Sequence, residues 1–208
     1  ALETVLKQTY RNLEIFITDN SHNDKTEKMM ERYINNYENI IYEHHDGFEA
    51  IDNWSRARSY NNPLAEYVNW LMDDDLFLPD KISKMVNYYL MYPDVSLVTS
   101  SRHLIDASGN RLPINAMNKP ISDVTVKYDG ISAGRAMFTS LNNFIGEPTT
   151  ALIKKKILKN NDLGWTGKEG RYIISDFSTW MNALAQGNMI YIAEPLSCFR
   201  QHDGQDQK

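Results

Sequence analysis

An α/β fold with a mostly parallel central sheet flanked by helices is predicted by three observations. Short apolar runs alternate with amphipathic stretches of helical period from residue 1 to residue 99. The runs at 13–18 and 95–99 are apolar enough to be buried on both faces, as strands of a parallel sheet are. Polar or acidic loops follow two of the runs, at 19–24 and 73–75, where sheets of this kind bind ligands.

The elements follow in order. Residues 1–10 read as a helix with Leu2, Val5 and Leu6 on one face, and 13–18 as a strand that stops at Asp19. A helix over 24–37 turns Met29, Met30, Tyr33, Ile34 and Tyr37 inward, and 40–44 is a second strand. His44, His45 and Asp46 read as the polar start of a loop rather than a metal site. A helix over 49–61 ends at Asn61, Asn62 and Pro63, and a strand over 67–72 delivers three aspartates. The helix over 79–91 points Ile82, Met85, Val86, Tyr89 and Leu90 inward and stops at Pro93. Residues 106–110 form a turn between two short strands, and 112–127 read as an irregular crossing. A helix over 129–142, a turn running into a strand over 144–153, and a glycine-rich loop at 164–170 carrying Trp165 come next. The helix over 175–187 has Ser175 as its cap and Asp176 in its first turn. Strands at 189–192 and 196–200 precede a polar tail.

Composition narrows the function. The 208 residues are 42% apolar and 24% charged, enough for a real core and without an apolar run of membrane-span length. A net charge of −5 offers no basic footprint for nucleic acid. The one cysteine, Cys198, excludes an internal disulfide framework and fits a reducing compartment.

Asp73, Asp74 and Asp75 are the chemical focus. Adjacent like charges repel unless something positive lies among them. At a strand end they form a hard oxygen cluster suited to Mg²⁺ or Mn²⁺, which takes further ligands from water and a substrate phosphate. A solvated acidic loop ahead of a helix is the plainer reading, and the position after a strand-like run favours the chemical one. A phosphoryl-transfer reading would want a glycine-rich phosphate loop with lysine, and none is present.

Six separate stretches, in order, resemble the family 2 glycosyltransferases. They are Ala1 to Ile15 with its Gln8-Thr9-Tyr10 core, Asp19-Asn20-Ser21, Asn53 to Ala57, Tyr67 to Asp75 with Pro79-Asp80-Lys81, Ile145 to Thr149, and Ser175 to Trp180 with Phe199 to His202. The resemblance implies a GT-A fold, Rossmann-like, with a smaller acceptor-side region. Residues 1–100 would be the nucleotide-sugar half of a single domain and 101–208 its acceptor half. It implies transfer from a UDP-linked sugar to a carbohydrate or lipid-linked acceptor with inversion, in polysaccharide or cell-envelope glycan synthesis. Asp19 matches the position that pairs with the donor base, Asp73 the one near the ribose, and Arg200 one near the diphosphate. Asp74, Asp75 and His202 match the metal positions for Mg²⁺ or Mn²⁺, with Met72 standing where many relatives carry aspartate. Asp176 matches the catalytic base, and Trp165 and Glu147 fall on the acceptor side. The family's usual work implies a cytoplasmic protein, with peripheral contact at the inner membrane face open to it. Relatives carry a strand ahead of the helix that opens here at Ala1, which implies two strands with unpaired edges. A GT-A-like module that holds a nucleotide or sugar without turnover is the alternative.

Overall fold

Two long parallel ladders and four short antiparallel ones make up the sheets of the computed structural model, which describes residues 1–158 and 175–203. The chain divides into two compact units, one of Arg11–Ala65 and one of Ala1–Tyr10 with Glu66–Lys208. The divide expected near residue 100 therefore falls inside a strand of the larger unit.

In the smaller unit, β1 (Ile15–Asp19) lies parallel to β2 (Ile40–His44), joined by α2 (Lys25–Ile34) and followed by α3 (Ala50–Ser59). Only Met30 and Tyr33 of α2 are buried; Met29, Ile34 and Tyr37 of the expected inward face are exposed. The unit is small, so one helix turn is enough to cover two strands. Phe16 stacks on Tyr60 with ring centres 4.1 Å apart, and Arg56 lies over the same Phe16 ring while forking onto Glu43. Asn53 of α3 bonds both the hydroxyl and the carbonyl of Thr18.

The larger unit holds a six-stranded mixed sheet. Its strands are β3 (Tyr67–Val68), β4 (Leu76–Phe77), β5 (Val95–Ile105), β6 (Val126–Tyr128), β7 (Leu152–Lys154) and β8 (Asn188–Arg200), with path β3-β7-β5-β8-β4 and β6 on β8. The strand expected over 67–72 is two residues long, and the chain resumes as β4 only after the acidic turn. In contrast, β5 runs through polar but buried Ser100 and Ser101 to Ile105, well past the expected stop at Thr99. The two strands expected at 189–192 and 196–200 are one, β8, whose register against β5 shifts between Ser100 and Ser101. Before the shift its other edge pairs with β6, and after it with β4.

Three helices back this sheet: α4 (Lys81–Met91), α5 (Gly130–Ser140) and α6 (Ser175–Leu184). From α4, Ile82, Met85, Val86 and Tyr89 are buried as the spacing predicts, whereas Leu90 is exposed. Asp129 caps α5, its side chain accepting from the Ser132 N–H at 2.8 Å. Leu97, Met137, Ile145, Ile153, Trp180 and Leu184 share one core between sheet and helices. At the N-terminus α1 (Leu2–Leu6) is shorter than expected, because the residues after it turn to bind the β4–α4 junction. Thr4 Oγ1 takes the Phe77 N–H on the outer side of β4, while β1 has β2 as its one strand partner among the described residues. No described helix is long and apolar enough to cross a membrane.

Candidate functional site

The acidic turn joins β3 to β4. Asp75 N–H reaches back to the Met72 carbonyl at 3.3 Å, which makes Asp73 and Asp74 the corner of a four-residue turn. Asp73 is exposed, Asp74 half-buried and Asp75 fully buried. Asp75 faces inward: Oδ2 accepts from the Thr149 hydroxyl at 2.5 Å and Oδ1 from the Arg200 N–H at 2.9 Å. Burial pushes its carboxyl up to about 6, with neighbouring Asp74 adding to the rise and the two hydrogen bonds opposing it. Both its oxygens thus accept bonds from the fold, while Asp74 Oδ2 lies 3.2 Å from His202 Nε2.

Arg200, expected near the diphosphate, grips backbone through two of its nitrogens. Its Nε donates to the Asp74 carbonyl at 2.8 Å, and Nη1 to the carbonyls of Asp106 (2.9 Å) and Ala107 (3.0 Å). Those two carbonyls belong to the turn after β5, locked by the Asp106 carboxylate through the N–H groups of Ser108 and Asn110. So the last residue of β8 fastens the acidic turn to a second turn, and keeps a positive charge behind Asp75.

Residues 145–150 form the wall on which the turn packs, through Thr149. Gly146 has φ +101, and a Cβ there would meet Thr150 Oγ1 at 2.8 Å and Arg102 Nη1 at 2.9 Å, so only glycine fits. Glu147 is buried beside Arg102, with Nε 2.8 Å from Oε2, an ion pair by distance whose N–H is not aligned as a hydrogen bond. Burial raises the Glu147 carboxyl to about 7 against the pull of Arg102, and the charges of Asp75 and Asp176 push it the same way. Asp176 therefore lies within electrostatic reach of this wall. It sits half-buried in the first turn of α6, one helical turn before Trp180, whose Nε1–H donates to the Gly146 carbonyl at 2.8 Å. Trp180 thereby ties the helix bearing Asp176 to the wall. Trp165 and the side chain of Ser175 lie outside the described residues.

In the smaller unit Asp19 ends β1. Its carboxylate accepts from the Ser21 N–H (2.9 Å), the Ser21 hydroxyl (3.0 Å) and the Tyr42 hydroxyl (2.7 Å). Burial works to raise its pKa, but these three donors outweigh it and hold Asp19 ionised below the usual carboxylate range. His44 bonds the Ser21 carbonyl, His45 stacks on Phe48 and Asp46 faces His22, all local contacts.

The family model of glycosyl transferase family 2 matches residues 1–161. The chain belongs to this family. The chain spans 60% or less of the length of the curated relatives it matches. It is 28% identical over 207 residues to an uncharacterized glycosyltransferase of Rickettsia typhi, covering 99% of this chain and 60% of that one. An uncharacterized glycosyltransferase of Methanocaldococcus jannaschii is 29% identical over 116 residues, 54% of this chain and 39% of that one. A crystal structure of S. aureus TarS superposes with a TM-score of 0.64 at 13% identity, covering 96% of this chain and 55% of that chain. That likeness establishes the fold as GT-A, Rossmann-like, with the two parallel ladders longer than any antiparallel one.

The family implies a divalent cation, and the residues present fit one. Mg²⁺ and Mn²⁺ favour hard oxygen with a few protein ligands and complete their shells with water and substrate phosphate. Asp74 and His202 supply one carboxylate and one imidazole beside exposed Asp73. Among the described residues no group of three or more His, Cys, Asp or Glu could hold an ion unaided. Such an ion would need donor oxygens.

Several residues of the site were not singled out from sequence. Thr149 lay in the matched stretch Ile145 to Thr149 without a role of its own, and Arg102 gave no signal beyond lying in a polar stretch. Lys81 did leave one: with Met85 and Tyr89 it completes an i, i+4, i+8 stripe that is otherwise apolar.

Proposed function

We propose that the protein transfers a sugar from a UDP-linked donor to a hydroxyl of a carbohydrate or lipid-linked acceptor, inverting the anomeric carbon, in cell-envelope or other polysaccharide assembly. The observation that carries this reading is the acidic turn. Its corner carries exposed Asp73 and, beside His202, Asp74, while Asp75 anchors it from within to the wall on which Asp176 acts electrostatically.

In this reading the acceptor hydroxyl gives its proton to the Asp176 carboxylate as its oxygen bonds to the anomeric carbon. The bond from that carbon to the diphosphate oxygen breaks on the opposite face, and its electron pair leaves with the nucleoside diphosphate. Asp74 and His202 would hold Mg²⁺ or Mn²⁺, whose chemistry is to neutralise charge on the departing diphosphate. Asp73 serves the ribose, and Asp19, held ionised within the smaller unit, is by its chemistry an acceptor for an N–H such as a base carries. Glu147 backs the acceptor side from beneath, since it is buried. A cytoplasmic place goes with this reading, and a lipid-linked acceptor would bring peripheral contact with the inner membrane face.

Calorimetric titration of UDP with and without Mn²⁺ tests the donor site. Binding should require Mn²⁺ and be lost in Asp74→Ala; UDP binding indifferent to both would sink the reading. Asp176→Asn should keep that binding while donor turnover falls about 100-fold or more, the usual contribution of a general base. Metal-dependent binding with no turnover by the native protein would favour the non-catalytic module.

A further inference from the structure

We propose that Thr149 is a positioning residue for the donor diphosphate and its cation, acting by closing the acidic turn from below; the inference rests on the donor site proposed above. The flanking strands β3 and β4 are two residues each, too short to shape what lies between them. The turn closes on itself through the Asp75 N–H to the Met72 carbonyl at 3.3 Å, so bonds from outside it also bear on its form.

One atom touches both ends. Thr149 Oγ1 accepts from the Met72 N–H at 3.3 Å and donates to Asp75 Oδ2 at 2.5 Å. A hydroxyl can do both at once because it carries a donor and acceptor lone pairs on the same atom. With residues 72 and 75 pinned, Asp73 and Asp74 are the two left at the corner. Thr149 itself is fully buried and both its hydrogen-bonding functions are engaged, so it is not a substrate contact.

The pin rests on a rigid base. Thr150 Oγ1 reaches the carbonyls of Ile145 (2.9 Å) and Glu147 (2.7 Å), and Lys81 Nζ donates to the Thr150 carbonyl at 3.0 Å. Asn69 Nδ2, just ahead of the turn, donates to the Pro148 carbonyl at 3.0 Å, and Trp180 holds Gly146 from α6. The same short segment thus fixes the acidic turn and takes its place from the helix that bears Asp176.

Thr149→Val removes the hydroxyl at nearly constant volume, and Thr149→Ser restores it. Groups that orient ligating residues typically change metal affinity about 10- to 100-fold when lost. Thr149→Val should weaken Mn²⁺-dependent UDP binding by about tenfold or more and speed amide exchange at Met72. Thr149→Ser should bring both back to within about threefold of the native protein. A purely structural role would lower the melting temperature of Thr149→Val without moving the UDP affinity of the folded protein. Native-like UDP affinity in Thr149→Val, or unchanged exchange at Met72, overturns the proposal. If the native protein itself shows no metal-dependent UDP binding, the donor reading fails, and Met72 exchange alone decides whether Thr149 shapes the turn.

Discussion

Lys81 opens α4 at 0% exposure, its ammonium 3.0 Å from the Thr150 carbonyl, 3.1 Å from Met85 Sδ and 5.0 Å from the centre of the Phe77 ring. Among the described residues no carboxylate meets it directly, although Glu147 is near enough to favour its charge. Burial nevertheless lowers its pKa from 10.5 to about 7. A depressed lysine is one the folded state prefers neutral. Its contribution to stability is full above pH 10.5, where both states are neutral, and is lost as pH falls through about 7. Stability of the native protein should therefore rise from pH 7 to pH 9 relative to Lys81→Met, by on the order of 2 kcal/mol over the interval. Urea unfolding of both proteins at the two pH values measures this. A constant difference would mean that the lysine stays charged inside the fold, stabilised by Thr150 and the Phe77 ring.

At the scale of elements, the approach of α5 to the end of α6 makes the sharpest demand on residue type. A Cβ at Gly130 would lie 1.9 Å from the Gly187 carbonyl oxygen and 2.4 Å from that of Leu184, and backbone cannot step aside as a side chain can. One turn along the same helix, a Cβ at Gly134 would meet nothing closer than 3.7 Å. Gly130→Ala should therefore cost about 1–3 kcal/mol or more by overpacking. Gly134→Ala should be neutral or gain about 0.5–1 kcal/mol from helix propensity. Thermal unfolding of the pair reads the contrast, and equal effects would disprove the close approach. Such contacts are invisible in the sequence, where both glycines look like ordinary tolerance within a helix. The strands show the same divide. Strand β1 was readable because its run is apolar, while β6 was not, being three residues whose partner lies more than sixty positions away. Ala193, Glu194 and Pro195 looked like a loop between two strands; they occupy the register shift that lets β8 change partners from β6 to β4. The acidic turn was legible as charge, but the inward role of Asp75 and the backbone grip of Arg200 depend on pairings across more than seventy residues. Charge patterns cannot carry that information.

For the whole molecule, the chain order hides a return that the opening motif explains. Residues 1–10 precede the smaller unit yet belong to the larger one. Gln8, fully buried, donates to the Leu78 carbonyl at 2.8 Å and accepts from the Ile82 N–H at 3.1 Å, so it serves as a remote cap for α4. Thr9 adds bonds to Pro79 and Asp80. The Gln-Thr pair matched by resemblance thus has a physical account: it fastens the stretch that follows the acidic turn. Gln8→Met keeps the volume but leaves a buried carbonyl and a helix N–H without partners, at about 1–3 kcal/mol for each. If the two units open separately, as compact units commonly do, this loss belongs to the larger one alone. Native-state amide exchange distinguishes them, with β5 and β8 reporting the larger unit and β1 and β2 the smaller. Gln8→Met should speed exchange along β5 and β8 while leaving β1 and β2 as they are. Acceleration of all four strands by the same factor would show instead that the chain opens as one cooperative whole, and that residues 1–10 help to hold both units closed.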